Sequence, residues 1–328
     1  MRDPETIAAK LVEGDRLALS RSISWAENGD PRFPETLGRI WEHVGRARRT
    51  GITGPPGAGK STLVNELARH LREDGRTVGI LAIDPSSPFS GGALLGDRIR
   101  MEDRTSDSGV FIRSMASRES HGGLARASVD ACDVMDAYGF DDLLVETVGV
   151  GQAEYDVVGA ADTVLVVLCP GAGDGIQAMK AGLLEVADIL VVNKSDLPGA
   201  DRLQTDLEEA THTRDIRRDG WEVPVVGVSA AKDEGLEKLL GAIDEHRAHL
   251  EKTGLAAVRR EKRAQQVERV VGERLEEELW GSNGLGQRVD SALNEGSTAY
   301  DIAETILEDV LSGKLAALGR DSKTKAAR

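Results

Sequence analysis

Gly54-Pro55-Pro56-Gly57-Ala58-Gly59-Lys60-Ser61 fits the pattern G-x-x-x-x-G-K-[ST] without a mismatch, and Thr62 follows. Residues of these types at this spacing hold a polyphosphate. The glycines let successive backbone N–H groups turn inward around phosphate oxygens. Lys60 supplies a point charge for the β- and γ-phosphates, and the Ser61 hydroxyl is an oxygen ligand for Mg²⁺. A second set of residues lies at Asn193-Lys194-Ser195-Asp196. The Asp196 carboxylate can accept hydrogen bonds from both N1–H and the exocyclic amino group of guanine, and adenine offers neither donor in that arrangement. Asn193 orients the loop, and the stem of Lys194 can lie over the base plane. Ser229-Ala230 fits the weaker element whose backbone contacts the guanine oxygen.

Metal and switch residues are less usual in type. Leu143-Leu144-Val145-Glu146-Thr147-Val148-Gly149 stands where a D-x-x-G is expected, with Glu146 in place of Asp. Asp84 ends an apolar run, and Asp97 sits in a glycine-rich segment. With Ser61, these three carboxylates make a candidate Mg²⁺ set, since Mg²⁺ takes oxygen ligands, waters and substrate phosphates. Gly149 can donate its N–H to a γ-phosphate, and Gln152 is a candidate for orienting the attacking water. Lys60, Glu146 and Gln152 are the candidate catalytic residues. The expected ligands are GTP and GDP with Mg²⁺.

The elements that must hold these residues follow from periodicity. A short strand at 49–53 leads into the phosphate loop. A helix over 61–73 leads out, with Leu63, Leu67, His70 and Leu71 at helical spacing. Apolar runs at 77–84, 110–112, 142–148, 163–168, 189–193 and 223–228 read as strands. Helical patterns lie between them at 122–138, 174–185, 200–218 and 235–250. This predicts an α/β fold of the P-loop NTPase kind, with a mostly parallel sheet covered by helices on both faces and its ligand at the carboxyl ends of the strands. Residues 1–48 read as a helical extension, with one helix over 4–26 and another over 34–48. Composition shifts near Glu251, so the nucleotide domain is expected over 49–250. A helical arm is expected over 251–328, with a charged helix at 255–279, a break at 281–286, a last helix at 298–318 capped by Ser297, and a disordered basic tail.

The chain has 328 residues and a net charge of −15, from 56 acidic and 41 basic residues. Such a surface argues against nucleic acid or an anionic membrane as the main partner. Its basic residues are mostly Arg, and it is poor in aromatic residues; this reads as adaptation to a high-salt cytoplasm, where salt screens self-repulsion. Cys132 and Cys169 form no disulfide or metal spacing. No apolar run approaches a membrane span, and a cytoplasmic location is expected. His246 and His249 are read as solvated residues on a charged helix end.

Taken together, the motifs resemble one family, the MeaB/ArgK-type GTPases of the SIMIBI class, which escort adenosylcobalamin-dependent methylmalonyl-CoA mutase. The resemblance is carried by Gly54 through Thr62, Asp84-Pro85-Ser86-Ser87-Pro88, Ser90 through Arg98, Glu146 through Glu154 and Asn193 through Asp196, and covers nearly the whole chain. It implies that the helical arm makes a homodimer. It also implies that Asp174 and Lys180, in Pro170 through Lys180, form a switch signalling nucleotide state to the mutase. Before Gly122-Gly123 the segment Ser117-Arg118-Glu119 departs from the Arg-Gly pattern common in the family, which puts partner identity in question. Two other classes stay open. One is a nucleotide-dependent kinase of a lysine/arginine/ornithine transport system. The other is a metallochaperone GTPase, although the chain has no Cys/His metal motif.

Overall fold

Period-two alternation decides the architecture. Along Thr163–Leu168, Val164, Val166 and Leu168 enter one apolar cluster while Leu165 and Val167 enter another, and all five are buried. Along Ile189–Val192, Leu190 and Val192 divide from Ile189 and Val191 in the same way. Strands buried on both faces belong to a parallel sheet with helices on either side. The computed structural model, which describes residues 3–84, 107–116, 123–147, 153–171, 183–213, 217–218, 220–280 and 285–312, has this sheet. Its strands are β1 (Arg48–Thr53), β2 (Val78–Asp84), β3 (Val110–Ala116), β4 (Asp142–Thr147), β5 (Thr163–Leu168), β6 (Ile189–Val192) and, after a small antiparallel hairpin of β7 (Arg217–Arg218) and β8 (Trp221–Glu222), β9 (Val225–Gly227). The seven-stranded order is β3-β2-β4-β1-β5-β6-β9, and every neighbouring pair is parallel.

The described helices are α1 (Pro4–Val12), α2 (Arg16–Glu27), α3 (Phe33–Ile40), α4 (Lys60–Glu73), α5 (Gly123–Tyr138), α6 (Ala153–Ala160), α7 (Leu183–Val186), α8 (Ala200–Thr213), α9 (Leu236–Thr253), α10 (Leu255–Trp280), α11 (Leu285–Asn294) and α12 (Ala299–Leu311). One face of the sheet is covered by α4 and α9, through Leu63, Leu67, Leu236 and Leu239. On the other face, α1–α3 and α5 share a core with β2–β4, in which Leu11, Leu19, Ile23 and Met135 are fully buried. Further along that face α7 and α8 cover β5 and β6 with Leu183, Leu184 and Leu207. Helix α6 lies close on β1: a Cβ on Gly51 would come within 2.8 Å of Val157 and 2.9 Å of Ala161.

Several boundaries differ from the sequence expectation, each for a local reason. The single helix over 4–26 is two helices. Gly14 turns the chain at φ +88°, and the Asp15 carboxylate caps α2 by accepting from Leu17 and Ala18 at 2.7 and 3.0 Å. The helix expected over 34–48 ends at Ile40, followed by one 3₁₀ turn at Trp41–His43. Beyond it the backbone N–H groups of Gly45, Arg46 and Ala47 donate to Asp136 at 2.8–3.0 Å, so they are not spent on a helix. Burial alone would raise the Asp136 pKa, but the Arg49 guanidinium at 2.7 Å and these amides hold it below the usual carboxylate value. The helix expected over 200–218 stops at Thr213, and the β7–β8 hairpin follows, with Gly220 at φ +82°. His246 is buried, not solvated. It lies on the inner side of α9 with Leu239, Ala242 and Leu250, its Nδ1 is 2.9 Å from the Thr163 hydroxyl, and its ring packs on Trp221.

The chain divides into two compact units, Met1–Lys262 and Arg263–Arg328. In the first, Arg259 donates to Asp162, Gly45 O and Ala47 O, and Lys262 donates to Val158 O and Ala161 O, anchoring the start of α10. In the second, α11 begins within the stretch read as a break. The cap of α12 is Thr298, not Ser297, with Asp301 completing a capping box. No residue of α10 is buried, and Val267, Val271 and Leu275 are exposed. Among the described residues no helix is long and apolar enough to cross a membrane.

Candidate functional site

The motifs within the described residues lie at or just past the carboxyl ends of parallel strands: the phosphate loop after β1, Asp84 closing β2, Glu146 the penultimate residue of β4, Asn193–Asp196 after β6 and Ser229-Ala230 after β9. The chain reverses its direction of travel across the sheet beside β1, which is where open α/β sheets form a ligand crevice.

Gly54 leaves β1 at φ +134°, and a Cβ there would stand 2.1 Å from the carbonyl oxygen of Val167, so only glycine lets the loop run this close to β5. Pro55 and Ala58 are buried, and Pro56 and Gly57 are exposed at the tip. Gly59 precedes α4 at φ +89°, with its missing Cβ position 2.4 Å from Asn193 Nδ2. The loop therefore feeds its N–H groups and the helix N-terminus toward one spot, an arrangement that favours anions. Lys60 is buried, and its ammonium donates to Gly54 O at 2.6 Å and Pro55 O at 3.1 Å, which folds the charge back over the loop. Ser61 lies on the first turn of α4 and donates to Glu146 Oε1 at 2.5 Å, while Thr62 beside it is exposed. Glu146 is almost wholly buried between β1 and β2, in register with Ile52 and Ala82.

The second motif is tied to the first. Asn193 Nδ2 donates to Ala58 O at 2.8 Å, and Asn193 Oδ1 accepts from Lys194 N at 2.8 Å and Ala230 N at 3.2 Å. One buried amide thus joins the phosphate loop, the N-K-x-D segment and the S-A segment. Lys194 adopts a left-handed backbone at φ +58° and donates its ammonium to Gly57 O at 2.7 Å. Asp196 Oδ1 accepts from the Ser229 hydroxyl at 2.7 Å, and Asp196 Oδ2 pairs with Lys232 Nζ at 3.0 Å. The hydroxyl first, and the ammonium after it, hold the Asp196 carboxyl below its usual pKa. Ser229 and Ala230 are buried.

Lys232 did not stand out in the sequence: a Lys three residues past Ser229 is an ordinary surface residue until the 3₁₀ turn Ala230–Lys232 carries it back to Asp196. The buried pair Thr53 and Thr147, with hydroxyls 3.1 Å apart between β1 and β4, was equally silent. Asp97, Gly149, Gln152, Asp174, Lys180 and the side chain of Asp84 lie outside the described residues. The oxygens that are described fit a magnesium ion in chemical type: the Ser61 hydroxyl and the Glu146 carboxylate are adjacent hard donors at the start of α4.

Comparison with known proteins agrees with this geometry. A protein of Pyrococcus abyssi carrying a provisional GTPase assignment is 43% identical over 95% of this chain and 98% of its own length. The Escherichia coli GTPase ArgK is 34% identical over 75% of this chain and 76% of its own. The crystal structure of an LAO/AO transport system kinase superposes with a TM-score of 0.71 at 25% identity, covering 94% of this chain and 97% of that one. The family model described as methylmalonyl Co-A mutase-associated GTPase MeaB matches residues 19–283. The chain belongs to that family and is a P-loop GTPase that binds GTP and GDP.

Proposed function

We propose that the chain couples GTP hydrolysis to cofactor loading or protection of an adenosylcobalamin-dependent methylmalonyl-CoA mutase, working as a homodimer in the cytoplasm. The observation that carries this reading is the match over residues 19–283 to a family described by its association with that mutase. A mouse relative, 33% identical over 76% of this chain, carries the name methylmalonic aciduria type A homolog, which supports the same connection. In this reading Lys60 and the loop amides neutralise charge developing on the phosphates, Asn193 and Asp196 select guanine, and Gly149 and Gln152 serve the γ-phosphate and the attacking water. Ser61 and Glu146, with Asp84 and Asp97, hold Mg²⁺. When bound, the ion neutralises phosphate charge. A transport-system kinase is the competing reading, since a structural neighbour bears that name; a kinase would transfer the phosphoryl group to a protein, and radiolabelled GTP would then leave label on the acceptor.

The direct test is the GTPase rate with and without the purified mutase. The mutase is expected to stimulate hydrolysis. Asp174→Ala and Lys180→Ala are expected to leave the basal rate nearly unchanged and to reduce stimulation several-fold, because coupling of about 1–3 kcal/mol suffices for that. Equal stimulation in parent and variants would remove both residues from the coupling, and absence of stimulation would remove the mutase.

Self-association is assigned to the second unit because Val267, Val271 and Leu275 form an exposed apolar stripe along α10. A chain ending after Lys262 keeps Arg259 and Lys262 with their partners. It is expected to sediment as a monomer that still binds GTP, where the full chain sediments as a dimer. A full-length monomer at high salt would sink the assignment.

A further inference from the structure

Three arginines and a histidine gather at the end of the sheet opposite the nucleotide motifs, in a chain whose net charge is −15. Parallel strands put their amino ends on one side. The start of β1, the turn between α4 and β2 and the turn between α5 and β4 therefore meet there. They enclose an open cleft of about 560 Å³, whose lining includes His43, Arg46, Arg48, Arg76, Asp136 and Asp141. Helix α4 has the phosphate loop at one end and Gly75-Arg76 at the other. Its 14 residues set these about 21 Å apart, so the cleft and the loop are separate places.

In this cleft the acceptors are spent and the donors are not. Asp136 takes the amides of Gly45, Arg46 and Ala47 and the Arg49 guanidinium, which occupies both of its oxygens. Asp141 Oδ2 accepts from Thr77 N at 2.7 Å and Thr77 Oγ1 at 2.8 Å. Helix ends attract cations through their free carbonyls, but here the turns take them: Gly75 N donates to Arg72 O, Arg76 N to Leu71 O and Gly139 N to Asp136 O, each at 3.0 Å. On the donor side, Arg46 is exposed, and its guanidinium makes no hydrogen bond or ion pair among the described residues. Arg76 pairs with Asp142 through Nη2, and its Nε is buried without an acceptor. Arg48 gives Nη1 to Asp244 at 2.6 Å, while its Nε stands 3.8 Å from Asp142, beyond hydrogen-bond reach. A guanidinium carries five N–H donors, so most of this set is unspent.

Guanidinium forks match the paired oxygens of carboxylates and phosphates. The cleft is of the size that holds small molecules, larger than one phosphate ion needs. We propose that it is a second ligand site, which takes a small multivalent oxyanion, a phosphate ester or a polycarboxylate, through Arg46, Arg48 and Arg76. The test is equilibrium dialysis of the full chain against radiolabelled pyrophosphate or citrate, at low salt and without divalent metal, each with and without saturating GDP. At least one of the two is expected to bind in one equivalent with GDP present, and the tighter one tells phosphate chemistry from carboxylate. Arg46→Glu is expected to weaken that binding about tenfold or more, as for loss of a bond between charged groups. Its thermal melt should match the parent's, because no partner is lost. Arg46→Lys, a cation without the fork, is expected to fall between the two. Binding that GDP abolishes belongs to the phosphate loop and overturns the proposal. Binding that Arg46→Glu leaves unchanged lies elsewhere on the surface and overturns it too, as does absence of binding by both anions at millimolar concentration.

Discussion

Lys60→Ala is expected to lower GTP hydrolysis on the order of a hundred- to thousandfold, the usual loss when one preorganised charge-stabilising donor is removed from a phosphate site. The fold should survive. Lys60 begins α4, where Ala is a good helix former, and its ammonium donates to the carbonyls of Gly54 and Pro55. Those two oxygens lie at the crevice, where water can replace the lysine. The cost to stability is therefore expected at about 1–3 kcal/mol at most. Single-turnover hydrolysis and a thermal melt followed by circular dichroism separate the outcomes. Full activity in the variant, or loss of the folded signal, would show that the loop serves structure and not catalysis.

Asp196→Asn carries the largest expected effect on binding. The carboxylate accepts two hydrogen bonds from guanine, each of about 1.5–3 kcal/mol when one partner is charged. Its replacement by an amide removes one acceptor and presents a donor to a donor. A loss of GTP affinity on the order of a hundredfold or more follows. Xanthosine triphosphate, which has a carbonyl where guanine has the amino group, should bind the variant better than GTP does. Ser229 and Lys232 contact different oxygens of the parent carboxylate, at 2.7 and 3.0 Å; in the variant the lysine can donate to the amide oxygen and the Ser229 hydroxyl can accept from the amide NH₂, so the loop is expected to keep its shape. An unchanged order of GTP over xanthosine triphosphate would exclude Asp196 as the reader of the base.

What could be read from the residues alone was whatever depends on short spacing. The phosphate loop, the N-K-x-D segment and the doubly buried strands are local patterns, and the structure brings them to one face because parallel strands end there. What could not be read depends on distant partners. Nothing in the 34–48 stretch announces that Asp136 draws the amides of Gly45, Arg46 and Ala47 out of a helix. His246 sits among charged neighbours in sequence, and its burial is decided by which side of α9 meets the sheet. Lys232 gains its place only when β9 and β6 lie side by side. The β7–β8 hairpin is a different case: Asp-Gly is a sequence signature of a hairpin, but here the helical pattern of the preceding residues runs into it.

The packing of α1–α3 against α5 has a consequence during synthesis. The face carrying Ile7, Leu11, Leu19 and Ile23 is made first, and α5, which helps bury it, ends at Tyr138. A ribosome adding about 5–20 residues per second needs roughly 5–20 s to traverse the intervening hundred or so residues. For that interval the emerging chain carries an amphipathic helical segment whose intramolecular partner does not yet exist, so its solubility then rests on the chaperones and ions around it.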